Sequence, residues 1–338
     1  MLSLFFKDAL MADAVLLFAF GFILLIKGGD WFVDGATAIA KRFHIPDILI
    51  GATVVSIGTT LPEVMVSAMG AAQGNGAIAF GNAIGSIICN AALIAAITIA
   101  VKPASVDRKT LIIPVCFFFG AAIFYSCVAI FLKEFALWVG IVLLIIFVVY
   151  MTITVWQALK ASKQDRGLLN ADEKEDEEEK QGSIIKDILF LVIGAFVIAI
   201  GADILVDKAT FMAEKWNVPE TVISLTIVAL GTSLPELITA ITSLLKGRGA
   251  LSLGNLIGAN LFNLVLVSGM AITIAPFTLP AGKLIGSLNS SLVIDIPIML
   301  CVMGILTIPA IIKNKLSKTQ GYALLALYVA YTVFQLVI

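Results

Sequence analysis

The chain has 338 residues, 60% of them hydrophobic and only 13% charged, with a mean hydropathy of +1.06 and a formal net charge of −1. A water-soluble globular domain needs more charge than this to cover its surface, so that class is excluded. The near-neutral balance, with no basic stripe, gives no reason to expect nucleic acid as a partner.

Apolar runs of about 20 residues recur along the chain, each long enough to cross roughly 30 Å of hydrocarbon as a helix. They are continuous rather than alternating, which selects helices over a barrel. In chain order they predict ten spans, near 12–38, 46–72, 77–101, 110–132, 136–161, 184–212, 219–245, 250–274, 290–312 and 320–338. The first run leads into Gly28, Gly29 and Asp30 with nothing that resembles a signal cleavage site, so it is expected to stay in place. Between the fifth and sixth spans, Lys160 to Lys186 contains ADEKEDEEEK. A solvated linker is the expected state of such a stretch; a cation-collecting or regulatory loop is the alternative. Cys89, Cys116, Cys127 and Cys301 all lie in apolar runs without metal-ligand spacing and read as small buried residues.

Lysine and arginine set the orientation. With the N-terminus outside, the inner loops hold sixteen of them, including Lys41, Arg42, Arg108, Lys109, Lys246 and Arg248. The outer side holds four, Lys7, Lys133, Lys215 and Lys283, while Lys27 and Lys208 fall within spans. Both termini are therefore expected outside, with the acidic linker in the cytoplasm.

Residues 28–99 align with 201–272 at a constant offset of 173 without gaps. IGTTLPE (57–63) pairs with LGTSLPE (230–236), and GNAIGSIICN (81–90) with GNLIGANLFN (254–263). Each half holds five spans, an odd number, so the second copy must enter the membrane upside down. The expected fold is an all-α integral membrane protein of ten transmembrane helices in two inverted five-helix repeats. These are residues 1–162 and 184–338, joined by the linker at 163–183. Such repeats place a binding site near the midplane where they meet.

Glu63 and Glu236 lie deep in the second and seventh spans. An ionised carboxylate there is costly, so it should face an interior site and hold a cation or proton; a protonated packing carboxyl is the bland alternative. Pro62 and Pro235 lack the N–H that would bond to the carbonyls of Gly58 and Gly231, and each ring should open its turn. Thr59, Thr60, Thr232 and Ser233 add hydroxyl oxygens on the same turns. Asn82 and Asn90 share a helix face, as do Asn255 and Asn263. Asn90 and Asn263, deeper in their spans, are the better candidates for the ion, while Asn82 and Asn255 could equally be packing glue. The pooled ligands are all oxygen, which suits Ca²⁺ and Na⁺. Asp30, Asp34, Asp203 and Asp207 line the ion path or are solvated near helix ends; the lone His44 reads as a loop charge.

These paired segments resemble the cation/calcium antiporter superfamily, and within it the sodium/calcium exchanger branch with its bacterial relatives. The similarity covers nearly the whole chain. It implies that Glu63 and Glu236 are the principal ligands, with hydroxyls from Thr59, Thr60, Thr232 and Ser233. It also implies backbone carbonyl ligands at Ser56 and Ala229, and ion-facing positions at Ser86 and Asn90 and at Ala259 and Asn263. Two departures stand out: Ala259 replaces a serine found in some relatives, and Asn263 stands where potassium-dependent relatives carry Asp. The extra Glu of the calcium/proton branch is missing from GNAIGS and GNLIGA.

The resemblance implies a secondary antiporter exchanging Na⁺ for Ca²⁺, acting as a monomer in the cell (inner) membrane with the lipid bilayer as its surroundings. No ATP-binding G-x-x-x-x-G-K-[ST] motif is present. A cation/proton antiporter at the same site and a passive cation channel are the alternatives. No nucleophile–base pairing points to an enzyme, and no cofactor is expected beyond the transported ions.

Overall fold

Two of the three 32-residue helices, α1 (Met11–Arg42) and α6 (Ile184–Lys215), pack against each other along a seam of glycines. A Cβ added to Gly21 would lie 3.0 Å from the Gly201 carbonyl oxygen, one on Gly28 3.1 Å from that of Gly194, and one on Gly35 2.7 Å from that of Asp187. Contact this close between backbones needs residues without side chains. The partner number falls by seven as the α1 number rises by seven, so the two helices run antiparallel. At one end Arg42 donates to the Asp187 carboxylate at 3.1 Å. Each helix has 32 residues, or about 48 Å, which exceeds the roughly 30 Å of a bilayer core.

The structure is a computed structural model that describes residues 11–103, 106–168, 183–216, 229–280, 284–285 and 288–337. Its other helices are α2 (Asp47–Ala72), α3 (Gly76–Val101), α4 (Arg108–Leu132), α5 (Leu137–Leu168), α7 (Leu234–Leu245), α8 (Gly249–Ile274), α9 (Ser291–Lys313) and α10 (Lys318–Val337). Among the described residues, eight helices are long and apolar enough to cross a membrane: α1 to α6, α8 and α9. A short turn at Ala229–Thr232 precedes α7; the first part of the span expected at 219–245 falls on 217–228, outside the described residues, as does most of the acidic linker. Helix α5 runs past the expected end at 161, because the ALKASK stretch at 158–163 favours helix in water as well as in lipid. Two-residue strands β1 (Glu134–Phe135) and β2 (Phe277–Thr278) pair antiparallel and tie the α4–α5 connection to the segment after α8.

Helices α2 and α8 run side by side in the same direction. Gly254 meets the Ile48 backbone, Gly258 meets Ala52 and Ser56, and Arg248 pairs with Asp47 at 3.3 Å where both helices begin. Three π turns interrupt the helices around the centre: Gly51–Val55 in α2, Asn90–Ile94 in α3 and Asn263–Val267 in α8. Each wide turn disturbs the regular i→i−4 ladder, and in α2 and α8 side chains serve its carbonyls. The Tyr150 hydroxyl donates to Ala52 O at 3.1 Å, Ser56 Oγ to Gly51 O at 2.8 Å and Ser268 Oγ to Asn263 O at 3.2 Å. Tyr150→Phe keeps the ring against Phe117 and Phe262 and removes only that donor. It is expected to cost about 1–3 kcal/mol by leaving a buried carbonyl unserved. A lowered thermal midpoint in detergent checks this; an unchanged midpoint contradicts it.

Candidate cation site

Helices α2 and α7 bring Glu63 and Glu236 together. Both are 0% exposed, and the two carboxyl groups are close enough to interact directly through charge. None of their four oxygens has a hydrogen-bond partner among the described residues. The same is true of Thr60 Oγ1, Ser233 Oγ and both amide atoms of Asn90 and of Asn263. Ser86 and Ala259 are buried one turn before those asparagines, at matching positions of α3 and α8. A buried polar group left unserved costs about 1–3 kcal/mol, more when charged. So many on adjoining helices form the pattern expected of a site whose partner comes from outside the chain.

Local structure aims these groups inward. Asn90 and Asn263, 173 residues apart, each open a π turn, so the same distortion recurs in both copies. The two proline turns do not behave alike. Both were expected to open, but α2 stays helical from Ser56 to Ala72 through Pro62, with only the Gly58 carbonyl losing its partner. The break comes in the second copy, at Ser233 (φ −91°, ψ 6°). There Pro235 falls in the first turn of α7, where its missing N–H has no bond to make.

The structure separates the two asparagines that the sequence left balanced. Asn82 donates to Glu63 O at 3.2 Å and to Ser67 Oγ at 2.9 Å, so its amide braces the Glu63 backbone. Asn255 is fully buried; its Oδ1 accepts from Thr59 Oγ1 at 3.2 Å, and its Nδ2 has no partner among the described residues. Asn255 thus belongs to the central cluster. Thr59 also faces Glu236. The Ser56 hydroxyl is held by Gly51 O and Asn255 O, the latter at 3.0 Å. Thr232, with Gly58, Pro62, Gly231, Pro235 and Asp203, lines an apolar cavity of about 480 Å³ beside α6. Ala229 begins the turn before α7, and its side chain lies outside the described residues.

The remaining acids do not join the centre. Lys246, at the end of α7, pairs with Asp34 at 2.7 Å and Asp30 at 3.3 Å on α1; buried Lys208 pairs with Asp207 at 2.7 Å. Among the described residues there is no cluster of three or more His, Cys, Asp or Glu. The centre is two carboxylates with hydroxyl and amide oxygens, a donor set for a hard cation carrying about two positive charges. Sequence reasoning missed two further residues, Thr239 and Ser243 on α7, whose buried hydroxyls also lack partners among the described residues. Their spacing of three and seven from Glu236 was the available signal.

Comparison with known proteins bears on the family and the fold. An uncharacterized membrane protein of Methanocaldococcus jannaschii is 32% identical over 321 residues, covering 92% of this chain and 94% of its own. The inner membrane protein YrbG of Escherichia coli is 34% identical over 273 residues, covering 79% and 81%. The sodium-calcium exchanger NCX_Mj, solved after soaking with Na⁺ and Ca²⁺, superposes with a TM-score of 0.75 at 31% identity, over 94% of this chain and 96% of that one. The family model described as sodium/calcium exchanger protein matches residues 13–156 and 186–337. By its matched length and its fold, this membrane-spanning chain belongs to the sodium/calcium exchanger protein family.

Proposed function

We propose that the chain exchanges Na⁺ for Ca²⁺ across the membrane by alternating access, with Glu63 and Glu236 as the principal ligands. The observation that carries this reading is the pair of fully buried carboxylates, on neighbouring helices, whose oxygens lack partners along with those of Thr60, Ser233, Asn90 and Asn263. Thr59, Thr60, Ser233, Asn90, Asn263, Asn255 and Ser86 supply neutral oxygens around them, with Thr232 and the carbonyls of Ser56 and Ala229 at the margin. Ala259 offers no side-chain oxygen at the position that matches Ser86.

Charge accounts for exchange rather than leak. Two carboxylates carry a charge of −2, which one Ca²⁺ or two Na⁺ neutralises. An empty site would drag that charge through an occluded, low-dielectric state, which is expensive. Access therefore changes only when the site is loaded, and inward sodium is obliged to trade for outward calcium. The antiparallel pairing of α1 with its sequence counterpart α6 supports two inverted five-helix repeats, at 1–162 and 184–338, making ten spans in all. Their side-chain-free seam suits a pair that moves as one body past a fixed centre. The lysine and arginine distribution supports both termini outside and the linker in the cytoplasm, in the inner membrane of the cell, with a single chain as the working unit.

Purified protein in proteoliposomes is expected to take up calcium when an outward sodium gradient is imposed, and not when a pH gradient of equal size replaces it. Uptake driven by the pH gradient alone would transfer the site to proton antiport. Large single-channel currents would overturn alternating access.

A further inference from the structure

Hydroxyls on apolar helices ordinarily turn back onto their own backbone. Thr53, Ser126, Thr154, Thr273 and Thr307 all do so here, donating to the carbonyl four residues earlier at 2.6 to 2.9 Å. Thr60 and Ser233, at the central site, do not. Neither do Thr239 and Ser243, both 0% exposed on α7. With Glu236 they form a row at i, i+3 and i+7, one face of the helix, extending about 10 Å from the carboxylate toward its C-terminal end. That end is closed by Lys246, whose ammonium bridges Asp34 and Asp30 of α1 and also donates to Asp30 O at 3.0 Å. The first copy differs: Val66 and Gly70 occupy the matching positions after Glu63, and its buried Ser67 hydroxyl already accepts from Asn82 at 2.9 Å.

We propose that Thr239 and Ser243 form a transient site for the transported hard cation, Na⁺ or Ca²⁺, between the central carboxylates and the face that carries Lys246. The proposal rests on the reading of Glu63 and Glu236 as the central ligands. Each hydroxyl oxygen replaces part of the hydration shell as the cation leaves or enters, in steps of about one helical turn. Because only the second copy has this row of unpartnered hydroxyls, the two faces of the protein handle cations unequally: the Lys246 face has a step of two uncommitted oxygens, while the Ser67 hydroxyl beyond Glu63 is taken by Asn82.

The test uses full-length protein carrying Thr239→Val with Ser243→Ala, and as control Thr239→Ser with Ser243→Thr, which keeps both hydroxyls. Equilibrium binding of radiolabelled calcium in detergent is expected to match wild type in both, which also establishes that the variants fold. In proteoliposomes of defined orientation, the apparent calcium affinity at the Lys246 face is expected to fall about tenfold in the first variant. It should stay unchanged at the opposite face, and at both faces in the control. Wild-type affinity at both faces, equal loss at both, or loss of equilibrium binding would each overturn the proposal. Glu63→Gln and Glu236→Gln are measured alongside. If they retain equilibrium binding, the central reading fails; if they lose it while the hydroxyl variant shows no one-sided change, only the way-station fails.

Discussion

Replacing either Glu63 or Glu236 with glutamine is expected to abolish sodium-driven calcium uptake while leaving the protein folded in the membrane. The two halves of that expectation have one cause. Glutamine preserves shape and an oxygen but removes a unit charge, so the site falls from −2 to −1 and no longer balances Ca²⁺. Breaking one side of a buried charge interaction typically costs about 3–5 kcal/mol. At about 1.4 kcal/mol per tenfold, that lowers calcium affinity by a factor on the order of a hundred to several thousand. Folding does not suffer in the same way, because a neutral amide is cheaper than a carboxylate in a low-dielectric interior. Both oxygens of each Glu also lack partners among the described residues, so no internal hydrogen bond is lost. Uptake and detergent-extracted monodispersity measured on the same preparation decide the matter. Wild-type flux in either variant sinks the assignment of the pair.

Gly194→Val is expected to be nearly as damaging, for a reason unrelated to ions. A Cβ on Gly194 would press against the Phe32 backbone nitrogen, lie 2.7 Å from Phe32 Cα and 2.9 Å from the Gly28 carbonyl oxygen. These are backbone atoms of α1, which cannot rotate away as a side chain could. The helices must separate along the seam, and the packing at Gly21–Gly201 and Gly35–Asp187 goes with it. Overpacking of this kind costs about 3 kcal/mol, and it strikes the pair proposed to move during exchange. Gly120→Ala on α4 is the control: a Cβ there meets nothing within 4 Å, and the change should be neutral or slightly stabilising, by up to about 1 kcal/mol. Thermal unfolding in detergent and calcium flux report both variants. A Gly194→Val protein with the stability and flux of wild type would show that the seam does not constrain the fold.

Much of the molecule was legible before any coordinates. Apolar runs of bilayer length gave α3 and α8 to within a residue at each end, since length and hydropathy are set by the thickness of the solvent rather than by neighbours. The offset of 173 identified matching acids, prolines and asparagines in both copies. Two carboxylates in the wrong solvent were enough to single out Glu63 and Glu236, and both prove fully buried without hydrogen-bond partners among the described residues.

The rest depended on what each group meets in three dimensions. A carbonyl freed by a π turn needs a donor from elsewhere, and for Ala52 that is Tyr150, 98 residues away. Which proline turn opens depends on where the helix restarts: at Ser233 in the second copy, nowhere in the first. Asn82 and Asn255 look alike in sequence, yet one braces the Glu63 backbone and the other enters the cluster, because their amides meet different neighbours. A serine or threonine in an apolar helix shows its residue type but not whether its hydroxyl is spent on its own backbone. For Thr239 and Ser243 only the tertiary structure decided that it is not. The sequence by itself determined the solvent, eight membrane-length helices, the duplicated motifs and the pair of candidate acids, because these follow from composition and periodicity. The structure decided which oxygens are left over for a cation, because that is a property of packing.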